Sequence, residues 1–114
     1  MRMETGWISG IITIATDDDL TPAIDLGTSY DELIVYVPTI TSSTVAIHVA
    51  QTLAGTYSPL YLCNVDGTEE AVLSGAGTGN FYWKIPFGFQ FLKIATAAGQ
   101  AANRTFKVKG YKRE

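Results

Sequence analysis

Apolar and polar residues alternate along most of this chain with a period of two. The alternation is cleanest near its end, where residues 91–96 and 104–111 read as strands joined by a small-residue loop. In the second of these, Phe106 and Val108 fall on one side and Thr105, Lys107 and Lys109 on the other. That pattern marks a half-buried antiparallel strand, because successive Cβ atoms of extended chain point to opposite faces. Residues 44–51 repeat it, with Val45, Ile47 and Val49 opposed to Thr44, Ala46, His48 and Ala50. Residues 80–85 do the same, with Phe81, Trp83 and Ile85 opposed to Tyr82 and Lys84. Residues 32–37 depart from the rule, since Leu33-Ile34-Val35-Tyr36-Val37 is apolar on both sides. Such a strand is covered on both faces, or its second face, Ile34 and Tyr36, meets another molecule.

Further strands are predicted over residues 7–14, 23–26, 58–63 and 70–73. Turn residues punctuate the series: Asp17-Asp18-Asp19, Gly27-Thr28-Ser29, residues 38–43, Ala54-Gly55-Thr56, Asp66-Gly67-Thr68, residues 75–79 and Pro86-Phe87-Gly88. No segment shows a helical period with caps, and Gly99 weakens the one small-residue stretch that could turn. Many short strands at this spacing predict an all-β fold, a single antiparallel β-sandwich over residues 1–114 with about eight to nine strands. The pattern leaves a jelly-roll-like and an Ig-like arrangement open. Residues 1–6 read as a flexible arm and residues 110–114 as a short basic tail.

Composition narrows the function. At 114 residues the chain can bury one core without metal or disulfide staples. Hydrophobic residues make up 46% and charged residues 17%, against roughly 25% charged in ordinary soluble domains. So few charges imply efficient burial or apolar surface shared with a partner. The net charge of -3 argues against nucleic acid, since the basic residues Lys107, Lys109, Lys112 and Arg113 gather only near the end and Glu114 interrupts them. No apolar run approaches the roughly 18 to 20 residues that span a bilayer, so no membrane partner is expected. The run over residues 7–14 is broken by Ser9, Gly10 and Thr13, which suits a strand better than a signal peptide and points to synthesis in the cytoplasm.

Catalytic chemistry is hard to assemble from what remains. The one histidine, His48, lies mid-strand on the side away from the aliphatic residues. The one cysteine, Cys63, has nothing cationic nearby in sequence to make a thiolate and reads as a small buried hydrophobe. Zinc needs more His and Cys than the chain has. Calcium could draw oxygen ligands from Asp17-Asp18-Asp19 or from Asp66, Glu69 and Glu70, but the second cluster lacks the alternating ligand spacing of a calcium loop. Asp66-Gly67 is a natural hairpin turn instead. Loop or strand-end solvation accounts for Asp25, Asp31 and Glu32, and the glycines of residues 75–79 lack the Lys and helix of a phosphate loop, reading as a flexible turn. The expectation is a non-enzyme without cofactor or metal.

Aromatic residues concentrate in the second half: Tyr57, Tyr61, Phe81, Tyr82, Trp83, Phe87, Phe89 and Phe91. Phe81 and Trp83 read as core. Tyr82, Phe87 and Phe89, with Ile34 and Tyr36, are the candidate contact residues, because exposed aromatic rings stack on sugars or anchor protein interfaces.

The order of these motifs resembles a family of small β-rich virion structural proteins of tailed bacteriophages. The resemblance runs through Leu20-Thr21-Pro22-Ala23-Ile24-Asp25-Leu26-Gly27, Leu33-Ile34-Val35-Tyr36-Val37-Pro38 and Val45-Ala46-Ile47-His48-Val49. It continues through Tyr57-Ser58-Pro59-Leu60-Tyr61 and Asp66-Gly67-Thr68-Glu69 to Phe91-Leu92-Lys93-Ile94 and residues 100–108. It implies a sandwich that decorates or cements a phage capsid by binding the major capsid protein, and it assigns no catalytic residue. Residues 74–79 and 87–91 depart from the pattern. A decoration protein of this kind is expected in the virion, with trimers at lattice threefold positions as the reasonable self-assembly. The alternative is a tail- or fibre-associated module that binds tail proteins or a carbohydrate of the host surface.

Overall fold

The alternating segments pair into antiparallel sheets in the computed structural model, which describes residues 3–4, 6–41, 43–63, 69–71, 73–76 and 81–112. Within strands, residues 3–4, 43, 61–63, 69–71, 73–76, 81–84 and 86 are described by their backbone alone. In chain order the strands are β1 (Met3–Glu4), β2 (Ile8–Ile12), β3 (Ile24–Asp25), β4 (Glu32–Val37), β5 (Ser43–Ala50), β6 (Ser58–Pro59), β7 (Tyr61–Cys63), β8 (Glu69–Ala71), β9 (Leu73–Ala76), β10 (Phe81–Pro86), β11 (Phe91–Thr96) and β12 (Arg104–Lys112). No helix occurs among the described residues.

One sheet is centred on β12 and β4. β12 pairs with β4 along one edge and with β2 and then β1 along the other, while β10 closes the far side of β4. The second sheet is centred on β11 and β5. β3 flanks β11, and β6 and β9 share the far edge of β5. β7 and β8 form a separate two-stranded ribbon. Between β2 and β5, and again between β9 and β12, each successive strand joins the other sheet. That connectivity is a jelly roll, one of the two sandwich forms left open by the sequence.

The core lies between the inner faces. Leu33, Val35 and Val37 of β4 and Phe106 and Val108 of β12 meet Val45 and Ile47 of β5 and Leu92 and Ile94 of β11, all without solvent exposure. β4 and β11 alternate strictly between half-buried and buried positions, as a strand with one covered face must. Close backbone approach explains two glycines. A Cβ at Gly10 would lie 2.5 Å from Ile24 Cδ1, and one at Gly110 would lie 2.7 Å from the Tyr30 ring. Each glycine leaves room for a core side chain that reaches across to the β12 sheet.

Loops at one end are tied by buried polar groups. Gln100 is 5% exposed, and its Oε1 accepts from the Thr41 N–H at 2.8 Å and from Arg104 Nε at 3.2 Å. Its Nε2 donates to the carbonyls of Ala98 and Thr41, and its own N–H donates to the Asp18 carbonyl at 2.8 Å. Three loops therefore converge on one residue, two through its side chain and the third through its backbone. Thr21 plays a similar part at the edge of β11, where its Oγ1 accepts from the Ile94 N–H at 3.0 Å and its N–H donates to the Ile94 carbonyl.

Several boundaries differ from the sequence expectation. Met3 and Glu4, read as part of a flexible arm, pair with Lys112 and Tyr111, read as part of a basic tail. Gly75 and Ala76, read as loop, extend β9 against Thr44 and Ser43, because the long free edge of β5 supplies ladder partners. The predicted strand over residues 58–63 divides at Leu60, whose N–H donates to the Ile47 carbonyl while its side chain packs on the core. The turn at Asp66-Gly67-Thr68 and the glycines at 77 and 79 lie outside the described residues.

Candidate functional site

The outer face of the β12 sheet sets aromatic, aliphatic and basic residues side by side. Strand register places Ser9, Lys107, Tyr36 and Tyr82 in one row across β2, β12, β4 and β10. The next row carries Lys109, Ile34 and Lys84. A third, at the sheet's end, holds Glu4, Tyr111, Glu32 and Pro86. Trp7 completes the second row, with its indole 45% exposed and the Lys109 ammonium 5.6 Å from its ring centre. The same ammonium lies 5.6 Å from the Tyr111 ring centre, so one lysine holds two aromatic rings on the sheet by cation–π attraction. Ile11, 41% exposed, borders this face opposite Thr105.

Of the contact residues expected from sequence, Ile34 and Tyr36 lie here half-buried, with Tyr82 in register beside Tyr36. The Tyr82 side chain is outside the described residues, as are those of Phe81, Trp83, Tyr61 and Cys63. Phe87 and Phe89 are elsewhere, in the stretch after β10. Their rings meet edge to face with centroids 5.7 Å apart, and Phe87 packs against the core. The structure therefore separates the two aromatic groups. Trp7, Lys107, Lys109 and Tyr111 belong to the face but were not singled out as contacts. The alternation of residues 104–111 had already put the two lysines on the solvent side; only register brings them beside Tyr36 and Ile34.

The other sheet presents a smaller, mixed surface. His48 stands between Lys93 and Pro59 in adjacent strands, and the Lys93 ammonium sits 4.7 Å over the Tyr57 ring. Desolvation, and then the charge of Lys93, lowers the His48 pKa below its ordinary 6.5. The unfolded chain therefore binds this proton at higher pH than the folded one. The associated stability is present above pH 6.5 and is lost as the pH falls through the lowered folded value. Thermal unfolding of the His48→Gln variant should show a flatter pH dependence in that window. Asp25 is shifted down because its carboxylate accepts from Gln90 Nε2 at 2.9 Å and from the Gly27 N–H at 2.8 Å. That second bond closes a turn in which Gly27 has φ +89°, a conformation suited to glycine.

Two further features bear on ligands. A cleft of about 250 Å³ is lined by Ile11, Thr13, Thr16, Asp17, Leu20, Thr21, Pro22 and Lys93. Beside it, the carboxylates of Asp17, Asp18 and Asp19 come within 4.8 Å of one another, all exposed. A hydrogen bond with Asp17, some burial, and the charges of Asp17 and Asp18 raise the Asp19 pKa. The acidic set at Asp66, Glu69 and Glu70 is outside the described side chains. No helix among the described residues is long and apolar enough to cross a membrane.

No family model matches the chain, and no curated protein matches it. Among solved structures it is similar to the SPBc2 prophage-derived protein YomS, with 14% identity, 98% of this chain and 96% of that chain covered, and a TM-score of 0.61. It is also similar to part of a rhamnosidase from Klebsiella oxytoca with rhamnose bound, at 12% identity and a TM-score of 0.51. That match covers 97% of this chain but 29% of the rhamnosidase. A family 32 carbohydrate-binding module of C. perfringens NanJ in complex with galactose follows at 14% identity, 94% and 99% coverage, and a TM-score of 0.47. The first two likenesses establish the fold: this is an all-β sandwich of the kind found in a prophage-derived protein.

Proposed function

We propose that this chain is a non-enzymatic phage-particle protein that decorates the capsid by binding the major capsid protein, as trimers on the assembled lattice. The observation that carries the reading is the outer face of the β12 sheet, where Trp7, Ile34, Tyr36 and Tyr111 lie around the lysines. A surface of that composition is built for contact. The whole-length likeness to a prophage-derived protein supports the phage setting, as does the order of motifs along the chain. The mechanism is linkage. A protein that binds only the expanded lattice stabilises that state by mass action, and many copies multiply the effect. Purified protein incubated with expanded and unexpanded capsids of the encoding phage should co-sediment with the expanded form. Recovery with neither form overturns the reading.

A second reading, a tail- or fibre-associated carbohydrate-binding module, is favoured by the cleft beside β2. Asp17, Thr13, Thr16 and Lys93 offer hydrogen-bonding groups there, and Ile11, Leu20 and Pro22 offer an apolar floor. A single sugar ring has that mixture of hydroxyls and C–H faces, and the rhamnosidase with bound rhamnose contains a domain of this fold. Saturation-transfer NMR with a panel of monosaccharides tests it. Signal on a sugar that disappears in Asp17→Asn supports this reading; silence across the panel removes it.

A further inference from the structure

The charges on the outer face of the β12 sheet run against the charge of the chain. The protein is net acidic, -3, yet the two central rows of this face hold Lys107, Lys109 and, by register, Lys84, with no acid among them. Glu32 and Glu4 fall in the row at the sheet's end. The Asp17–Asp19 turn and Asp25 belong to the β2–β3 connection and to the other sheet. The second sheet's outer face has no comparable sign, since Lys93 there shares its surroundings with His48 and Asp25.

We propose that this face is the docking surface and that its occupant is an acidic protein surface on the particle; the proposal rests on the decoration reading above. The lysines supply complementarity to carboxylates, and Trp7, Ile34 and Tyr36 supply the apolar contact between them. Nucleic acid is the weaker fit, because three lysines neutralise few phosphates and the chain's net charge repels the rest. Four strands about 4.8 Å apart and five residues of about 3.3 Å give a flat area of about 320 Å². Stable partners usually bury about 800 Å² each. A single contact of this size is weak, so occupancy depends on multivalent display, which a trimer on a repeating lattice provides.

The experiment compares wild type, Lys107→Glu/Lys109→Glu and Gln51→Glu/Thr56→Glu, which adds acid to the exposed β5–β6 loop, in co-sedimentation with expanded capsids over a salt series, with thermal melts to confirm folding. The lysine double variant should bind at least about tenfold more weakly and with less salt dependence, while Gln51→Glu/Thr56→Glu matches wild type. Amine acylation of capsid-bound wild type provides a second measurement, in which Lys107 and Lys109 should be protected and Lys93 should react. If wild type binds and the lysine double variant binds as tightly, or if Lys93 is the protected lysine, the face is wrong and the decoration reading stands. Failure of wild type to bind removes both. Lysine-dependent binding to duplex DNA or an anionic polysaccharide, with capsid binding unaffected by the lysine double variant, overturns the protein partner.

Discussion

Replacing Phe106 with alanine should lower the stability of this domain by about 3–5 kcal/mol, the range for truncating a buried aromatic ring. Phe106 is the largest fully buried side chain among the described residues. It sits in β12 opposite Gly10, in the strand that joins the β4 and β2 halves of its sheet. The space beside Gly10 is already filled by Ile24 from the opposite sheet, so few side chains are positioned to collapse into the cavity. Domains of this size are stable by about 5–15 kcal/mol, so the variant should lie near the edge of folding. Calorimetry should show a midpoint lower by about 10–20 °C. Phe106→Leu, which keeps most of the volume, should cost about 1 kcal/mol. Equal losses for both variants would mean that the site relaxes around any replacement.

The second large effect is expected at Gln100. Gln100→Leu should cost about 2–3 kcal/mol, because it keeps the bulk but strips partners from several polar groups at once. The Thr41 N–H and Arg104 Nε lose their acceptor, and the Ala98 and Thr41 carbonyls lose their donor. Arg104 also donates from Nη2 to Thr41 Oγ1, so the three residues form one network. Gln100→Leu combined with Arg104→Met should therefore be less damaging than the sum of the two single changes, by at least about 0.5 kcal/mol in chemical denaturation. Additive losses would show that Gln100 and Arg104 act independently. Hydrogen exchange at Thr41 and Ala101 offers a local check, since both amides donate into the network.

The contrast between these residues shows what was legible in the chain. Phe106 was readable as core, because its neighbours Thr105 and Lys107 are polar and the strand alternates. Gln100 was not. A glutamine in a Gly/Ala-rich loop carries no pattern, and it is buried only because residues 38–41 and 13–19 fold onto it. The predicted strand over residues 91–96 coincides with β11, and that over residues 32–37 coincides with β4 because a short apolar run bounded by turn residues also reads as strand. The strand at Met3–Glu4 and the extension of strand from Leu73 to Ala76 were missed because neither segment has an alternation of its own. Each becomes strand by completing the edge of a longer neighbour, β12 or β5.

The candidate site divides in the same way. Ile34 and Tyr36 stood out because a strand apolar on both sides asks for cover, and the structure leaves that second side half-buried. Lys107 and Lys109 were placed on a solvent side without any indication of which strands adjoined them. Phe87 and Phe89 shared an expected face in extended chain, yet once the chain leaves β10 their rings meet edge to face and Phe87 packs against the core.

From the residues alone came the β class and the inward or outward sense of the strands over residues 91–96 and 104–109. Those follow from the backbone itself, since side chains of extended chain alternate whatever lies beside them. Strand order, register and the choice of jelly roll came from the folded structure. An alternating strand fits many neighbours equally well, and only simultaneous packing of both sheets selects one set. That selection put two lysines, a tryptophan and the second side of β4 on one surface.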